Sequence, residues 1–330
     1  MNKFYRRFLI LLLFLLLIPG AVIYFTVDIH TLASLTEFQP WSIALAFLCV
    51  SIGLILDGTR LMHLVHISGE RITVAQAAQV VFGNYFLALL TPGATGGAVA
   101  QLMFLRHAGV PVGKATVLVI TRTLVSILFL IFCLPFIFLH DAEILPGFSN
   151  GPLMAVSLFA FLVIVGLIVL FRTRLLDYLL VYITRRLSPA RKKKAFAFFR
   201  DIKTGVNLLA NAPLSMVRIF LESGASLLFI YAIVPCLLLG LGVTHMDGYT
   251  VMGRMIFLNM LLYFSPTPGG SGIAEGGFVL LFAKIVPAGM VGIVAVFWRL
   301  IAEYIPFLVG FVCTISVFGR DFISKQLGKS

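Results

Sequence analysis

Apolar residues along this chain gather in blocks of roughly 20, separated by short polar stretches that hold most of the charge. A helix of about 20 apolar residues is the length that spans a hydrocarbon core of about 30 Å. Six blocks, at about 8–27, 40–60, 115–139, 152–171, 214–242 and 288–318, predict crossing helices. Two more, at about 74–105 and 249–283, are apolar but interrupted by Pro and Gly. The first break reads Thr91-Pro92-Gly93-Ala94-Thr95-Gly96-Gly97 and the second Pro266-Thr267-Pro268-Gly269-Gly270-Ser271-Gly272. Proline removes a backbone donor and glycine is costly inside a helix. Open backbone is tolerated at membrane depth only where protein or a water-filled cavity covers it. Each interrupted block therefore predicts two half-helices joined by a turn, a re-entrant hairpin.

Composition settles the class. Of 330 residues, 60% are hydrophobic and 12% are charged, against about 25% charged in a soluble domain. The apolar stretch after Lys3, Arg6 and Arg7 resembles a signal peptide. It is long and lacks a small-x-small cleavage site, so it predicts a retained first helix. Cys49, Cys133, Cys236 and Cys313 all lie in apolar runs without metal-ligand spacing or a disulfide framework. They read as small packing residues, and the sequence predicts neither a metal nor a cofactor.

The net charge of +12 is explained by topology rather than by nucleic acid. With the N-terminus inside, the outer loops at 28–39 and 140–151 contain acids and no Lys or Arg, whereas 172–213 is inside with ten basic residues, among them Arg191, Lys192, Lys193 and Lys194. This follows the positive-inside rule if both interrupted blocks are hairpins, or if both are crossings with matched errors. It predicts a multi-pass protein of the cell (inner) membrane with both termini cytoplasmic. Arg254 and Lys284, at the outer ends of the second hairpin, are exceptions read as snorkelling. Within 172–213, Phe199, Ile202, Val206 and Leu209 share one helical face. That face either lies on the cytoplasmic leaflet or belongs to a solvated helix.

The two breaks align. Thr91 to Gly96 matches Thr267 to Gly272 at an offset of 176, Asn84 has a counterpart in Asn259, and Arg122 has one in Arg299. The chain thus predicts one transmembrane domain of two repeat units, about 40–139 and 214–318. Each is crossing helix, hairpin, crossing helix, with the hairpins oppositely oriented. Inverted repeats of this kind place substrate near the midplane, where broken helices meet.

Ionisable residues inside spanning segments are costly and usually functional. Arg122 and Arg299, always charged, with the half-helix N-termini, predict an anion site that fits a phosphate headgroup; the alternative is ion pairing, as of Arg299 with Glu275 or Glu303. Glu275 is either a helix-capping carboxylate or a proton carrier. Asp57 and Arg60 read as topological or structural, Glu222 is ambiguous, and His63, His66 and His107 read as interfacial. No Ser/His/Asp spacing, nucleotide loop or metal cluster marks an enzyme.

The run Pro266-x-Pro268-Gly269-Gly270-x-Gly272-x-x-Glu275 resembles the signature of the lysylphosphatidylglycerol synthase transmembrane-region family, the flippase-like domain proteins. Asn84, Thr91, Pro92, Gly93, Gly96 and Gly97 resemble that family's earlier hairpin. The resemblance implies translocation of lipid between leaflets, of an aminoacyl-phospholipid or polyprenyl-phosphate type. No aminoacyl-transferase or glycosyltransferase domain is expected, in contrast to the family's bifunctional members, so lipid synthesis is not expected of this chain; the expected partners are anionic membrane lipid and a lipid-modifying enzyme. The alternatives are a non-transporting partner of such an enzyme and a small-solute transporter. The site expected from all of this comprises Asn84, Thr91, Pro92, Gly93, Gly96, Arg122, Asn259, Pro268, Gly269, Gly270, Gly272, Glu275, Arg299 and Glu303.

Overall fold

The computed structural model describes residues 38–141, 150–171, 212–243, 245–287 and 290–319, with a few isolated positions between them. The block at 8–27, most of the amphipathic stretch at 172–213 and both chain termini lie outside the described residues. Those residues form an all-α polytopic membrane protein. The helices are α1 (Pro40–Ile67), α2 (Val74–Leu90), α3 (Thr95–His107), α4 (Val112–His140), α5 (Asn150–Phe171), α6 (Pro213–Tyr231), α7 (Ile233–Gly240), α8 (Gly248–Tyr263), α9 (Ile273–Phe282), α10 (Val291–Arg299) and α11 (Ile305–Thr314).

Among the described residues, four stretches are long and apolar enough to cross a membrane: Pro40–Ile67, Val112–His140, Leu214–Gly240 and Val291–Gly319. At 1.5 Å per residue, their 27–29 residues reach about 40 Å. Two of them are not regular throughout. The third turns at Ala232, between α6 and α7. Pro235 has no N–H to offer the Tyr231 carbonyl and its ring presses on that turn. In the fourth, Leu300–Tyr304 is π-helical and the Ile305 N–H reaches back to the Leu300 carbonyl. Pro306 leaves the Ala302 carbonyl without its usual donor, and the wider turn accommodates this.

Both interrupted blocks break where Pro and Gly interrupt them, and both begin on a side-chain cap. Ahead of α2, the Thr73 N–H donates to Gln76 Oε1 (2.9 Å) and the Gln76 N–H to Thr73 Oγ1 (3.3 Å), a reciprocal capping box. Ahead of α8, the Asp247 carboxylate accepts from the Tyr249 and Thr250 N–H groups. Glu70, before α2, meets Lys114, after α3, at 2.6 Å. The two ends of the α2–α3 block thus lie close together. Helices α8 and α9 pack together, and Arg254 in α8 donates to the Leu281 carbonyl near the end of α9. Arg254 is buried. The snorkelling expected for it is corrected: a carbonyl at the C-terminal end of α9 accepts from it inside the protein.

The described chain divides into two compact units. The first contains residues to Val50, Phe82–Ala100 and Tyr231 onward; the second contains Ser51–Val81 and Gln101–Ile230. The chain passes between them within helices, so neither is a sequential domain. In the first unit, Phe278 stacks on Phe282 and Trp298, Phe86 lies against Phe307 and Phe311, and the Cys49 and Cys236 thiols touch at 3.8 Å. In the second, α4 packs on α5 and Phe129 and Phe132 meet Phe220.

Candidate functional site

Both breaks adopt the same backbone. Gly93 and Ala94 have φ of 61° and 52°, and Gly269 and Gly270, their counterparts 176 residues on, have φ of 56° and 69°. Two consecutive left-handed residues reverse the chain in a single turn. Ala94 is the one non-glycine residue with positive φ among the described residues. Pro92 forms an antiparallel bridge with Pro268. Neither proline has an N–H, so the flanking peptide groups carry that bridge. The residues that meet are those the sequence alignment equates.

Side chains fix each turn. Thr91 Oγ1 donates to the Leu87 carbonyl (2.9 Å) and accepts from the Gly96 N–H (2.7 Å), which closes the end of α2 onto the start of α3. A Cβ at Gly96 would collide with that hydroxyl, and one at Gly97 with the Asn84 side chain. In the second turn, the Ser265 and Thr267 hydroxyls bond at 2.9 Å. Gly272, at φ 83°, starts α9. Its N–H donates to Glu275 Oε2 at 2.6 Å. Glu275 therefore caps the half-helix with one oxygen.

Its other oxygen faces Arg299 Nε at 3.2 Å. Arg299 is fully buried. Its Nη1 donates to the Gly269 carbonyl (2.9 Å) and to Glu303 Oε2, and its guanidinium lies 5.5 Å from the centre of the Tyr304 ring. Nη2 has no hydrogen-bond partner among the described residues, nor has Glu275 Oε1. The structure thus brings together Thr91, Pro92, Gly93 and Gly96 around one turn and Pro268, Gly269, Gly270, Gly272, Glu275, Arg299 and Glu303 around the other. The bridge joins the two turns inside the first unit. Asn84 sits beside Gly97 on the first hairpin. Asn259 donates back to Met255 on its own helix (2.9 Å).

Arg122 belongs to a second set, inside the second unit. It ion-pairs with Asp57. Asp57 also holds Arg60 at 2.6 Å, and Arg60 donates to Ser126 (2.8 Å) and Ser223. All five residues are buried. Alongside, Glu222 joins His63 (2.8 Å) and Arg218 (2.9 Å). Sequence reading missed Ser126, Ser223 and the His63–Glu222 pair. One signal was present: Ser126 follows Arg122 by four residues, as Glu303 follows Arg299.

A buried arginine with an open donor beside a half-helix N-terminus can take an oxyanion. No group of three metal-ligating side chains occurs among the described residues. In comparison with known proteins, residues 8–310 match the family model described as the lysylphosphatidylglycerol synthase TM region. The chain is also 24% identical over 287 residues to a protein of Archaeoglobus fulgidus described as a UPF0104 membrane protein, covering 83% of this chain and 86% of that one.

Proposed function

This chain belongs to the lysylphosphatidylglycerol synthase transmembrane-region family, and on that premise we propose that it carries a lipid with an anionic phosphate headgroup between membrane leaflets. The observation that carries this reading is the buried Arg299, fastened to the second break through Gly269 and left with an Nη2 that has no hydrogen-bond partner among the described residues. A phosphate oxygen on Nη2 would gain a charge-assisted hydrogen bond of about 1.5–3 kcal/mol. The N-terminus of α9 adds its partial positive charge. The acyl chains stay in the hydrocarbon while the headgroup passes the paired turns.

In this reading the two helical hairpins are re-entrant and oppositely oriented, and the two repeat units are inverted about the Pro92–Pro268 contact. Their arms of 10–17 residues reach about 15–26 Å, too short for full crossings. The protein sits in the cell membrane with both termini cytoplasmic. It makes and breaks no covalent bond, and a separate enzyme supplies the lipid, of an aminoacyl-phospholipid or polyprenyl-phosphate type.

The test is leaflet exchange in reconstituted phosphatidylcholine vesicles. NBD-labelled phosphatidylglycerol and a fluorescent polyprenyl phosphate should each be quenched from outside faster with the protein than without it. Equal rates for both probes would sink the reading.

A further inference from the structure

Charge balance at the second break points to what travels with the lipid. Arg299 is one cation held between two carboxylates, Glu275 and Glu303. With both ionised, the set carries a formal charge of −1. The other ionisable groups on the helices packed against α9 and α10 do not cancel it. Arg254 on α8 is bonded to the Leu281 carbonyl, ten residues along the chain from Ser271 and near the opposite end of α9, and Lys284 follows that same end. Tyr249 and Tyr263 on α8, Tyr304 in the π turn and Cys236 on α7 are neutral at ordinary pH. Residues 82–100 of the first hairpin contribute only Tyr85. A phosphate headgroup with one negative charge arriving at Arg299 would raise the buried charge to −2. Leaving such a charge uncompensated away from water is strongly unfavourable.

Resting on the lipid-carrying reading above, we propose that the phosphate headgroup is carried together with one proton, which binds Glu275. The geometry selects this carboxylate. Glu303 is bonded to Nη1 through Oε2. Glu275 is anchored through Oε2 to the Gly272 N–H, while its Oε1 is buried, contacts Nε at 3.2 Å and has no hydrogen-bond partner among the described residues. A hydronium ion on the entry side gives its proton to Oε1. One O–H bond breaks in water and one forms on the carboxyl. The guanidinium, released from one carboxylate, turns to the phosphate, and the new O–H donates to a phosphate oxygen. Release on the far side returns the proton to water. Lipid and proton move in the same direction, one for one.

The experiment uses the full chain in phosphatidylcholine vesicles with whichever of the two probes it moves, under an imposed pH gradient. The steady-state leaflet ratio of the probe should shift toward the alkaline side by about tenfold per pH unit, the factor for one proton. Glu275→Gln should abolish that shift and Glu275→Asp should restore it. In the unsubstituted protein, trapped pyranine should report acidification of the lumen when probe is added outside. Probe exchange with a leaflet ratio indifferent to the gradient, or a Glu275→Gln protein that still responds, overturns the coupling and leaves lipid carriage standing. Absence of exchange for both probes overturns lipid carriage and the coupling with it.

Discussion

The two buried charge clusters are built on opposite plans. In the second unit one carboxylate, Asp57, lies between two arginines, Arg60 and Arg122. In the first unit one arginine, Arg299, lies between two carboxylates, Glu275 and Glu303. The arginines Arg122 and Arg299 hold matching positions in the repeat, and the residue four further on is Ser126 in one half and Glu303 in the other. The first cluster joins α1, α4 and α6, and those helices run without interruption through the residues concerned. The second joins a continuous stretch to a break: Arg299 reaches the Gly269 carbonyl, and Glu275 starts a half-helix. A π turn follows Arg299 at once, a local irregularity frequent at functional sites. Charges that tie regular helices together hold a bundle. Charges that tie a turn can release it, and an open donor gives something to release it for.

The largest effect expected from this contrast is on stability, at Asp57. Asp57→Ala leaves two buried arginines facing each other without the carboxylate between them. Breaking such an arrangement costs about 3–5 kcal/mol. Thermal unfolding in detergent should fall steeply, and folded yield with it. An Asp57→Ala protein that melts like the parent would remove the structural half of the comparison.

Next comes Arg299→Lys, which keeps the charge and removes the planar fork. One ammonium cannot serve Gly269, Glu303 and an incoming oxyanion in the same geometry. Probe exchange should drop by about 10- to 100-fold, the equivalent of one charge-assisted hydrogen bond, with a melting temperature close to the parent's. Arg122→Lys should show the reverse, a lower melting temperature and exchange reduced only in proportion to folded protein. If the two substitutions trade outcomes, the roles of the clusters trade with them.

Much of this organisation was legible in the chain, for physical reasons that also mark the limit. Pro92, Gly93, Pro268 and Gly269 announce broken helices because their backbone effects are local and hold in any solvent. Arg122, Glu275, Arg299 and Glu303 stand out because charge in an apolar run is expensive. The Arg299–Glu303 pair was visible too, since four residues is one helical turn. The Asp57–Arg122 pair was not: 65 residues separate the two, and only packing brings them together. Nor was the Pro92–Pro268 contact. The alignment equated those residues without implying that they touch. Ser126 and Ser223 escaped because serine inside a membrane helix is common and often bonds only its own backbone, as Ser157 does with Met154.

Gly269→Ala probes the turn rather than the charge. At φ 56° an L side chain costs about 1–2 kcal/mol. Its Cβ would also stand 2.8 Å from Leu89 Cδ1 and 3.2 Å from the Leu89 carbonyl. The substitution should push the two turns apart at their bridge and lower both stability and exchange, with the exchange loss the larger when each is referred to folded protein. A loss of stability with unchanged exchange per folded molecule would show that the paired turns do not need to meet for transport.

The smallest effect separates the two turns themselves. Ala94 and Gly270 are counterparts at an offset of 176, with φ of 52° and 69°, so the same backbone is held by alanine in one turn and by glycine in the other. Ala94→Gly removes a left-handed cost of about 1–2 kcal/mol and adds about 0.4–1 kcal/mol of chain entropy to the unfolded state. The balance is a gain of about half a kcal/mol, read as a small rise in melting temperature. Gly270→Ala has both terms reversed and adds a contact 2.8 Å from Leu262 Cδ2, so it should lower the melting temperature by more than Ala94→Gly raises it. Ala94 is exposed and Gly270 is buried, which is why the first turn tolerates a side chain and the second does not. A fall in melting temperature for Ala94→Gly would mean that the methyl group at that turn packs on something whose contribution exceeds the backbone strain it imposes, and the two turns would then differ in packing as well as in sequence.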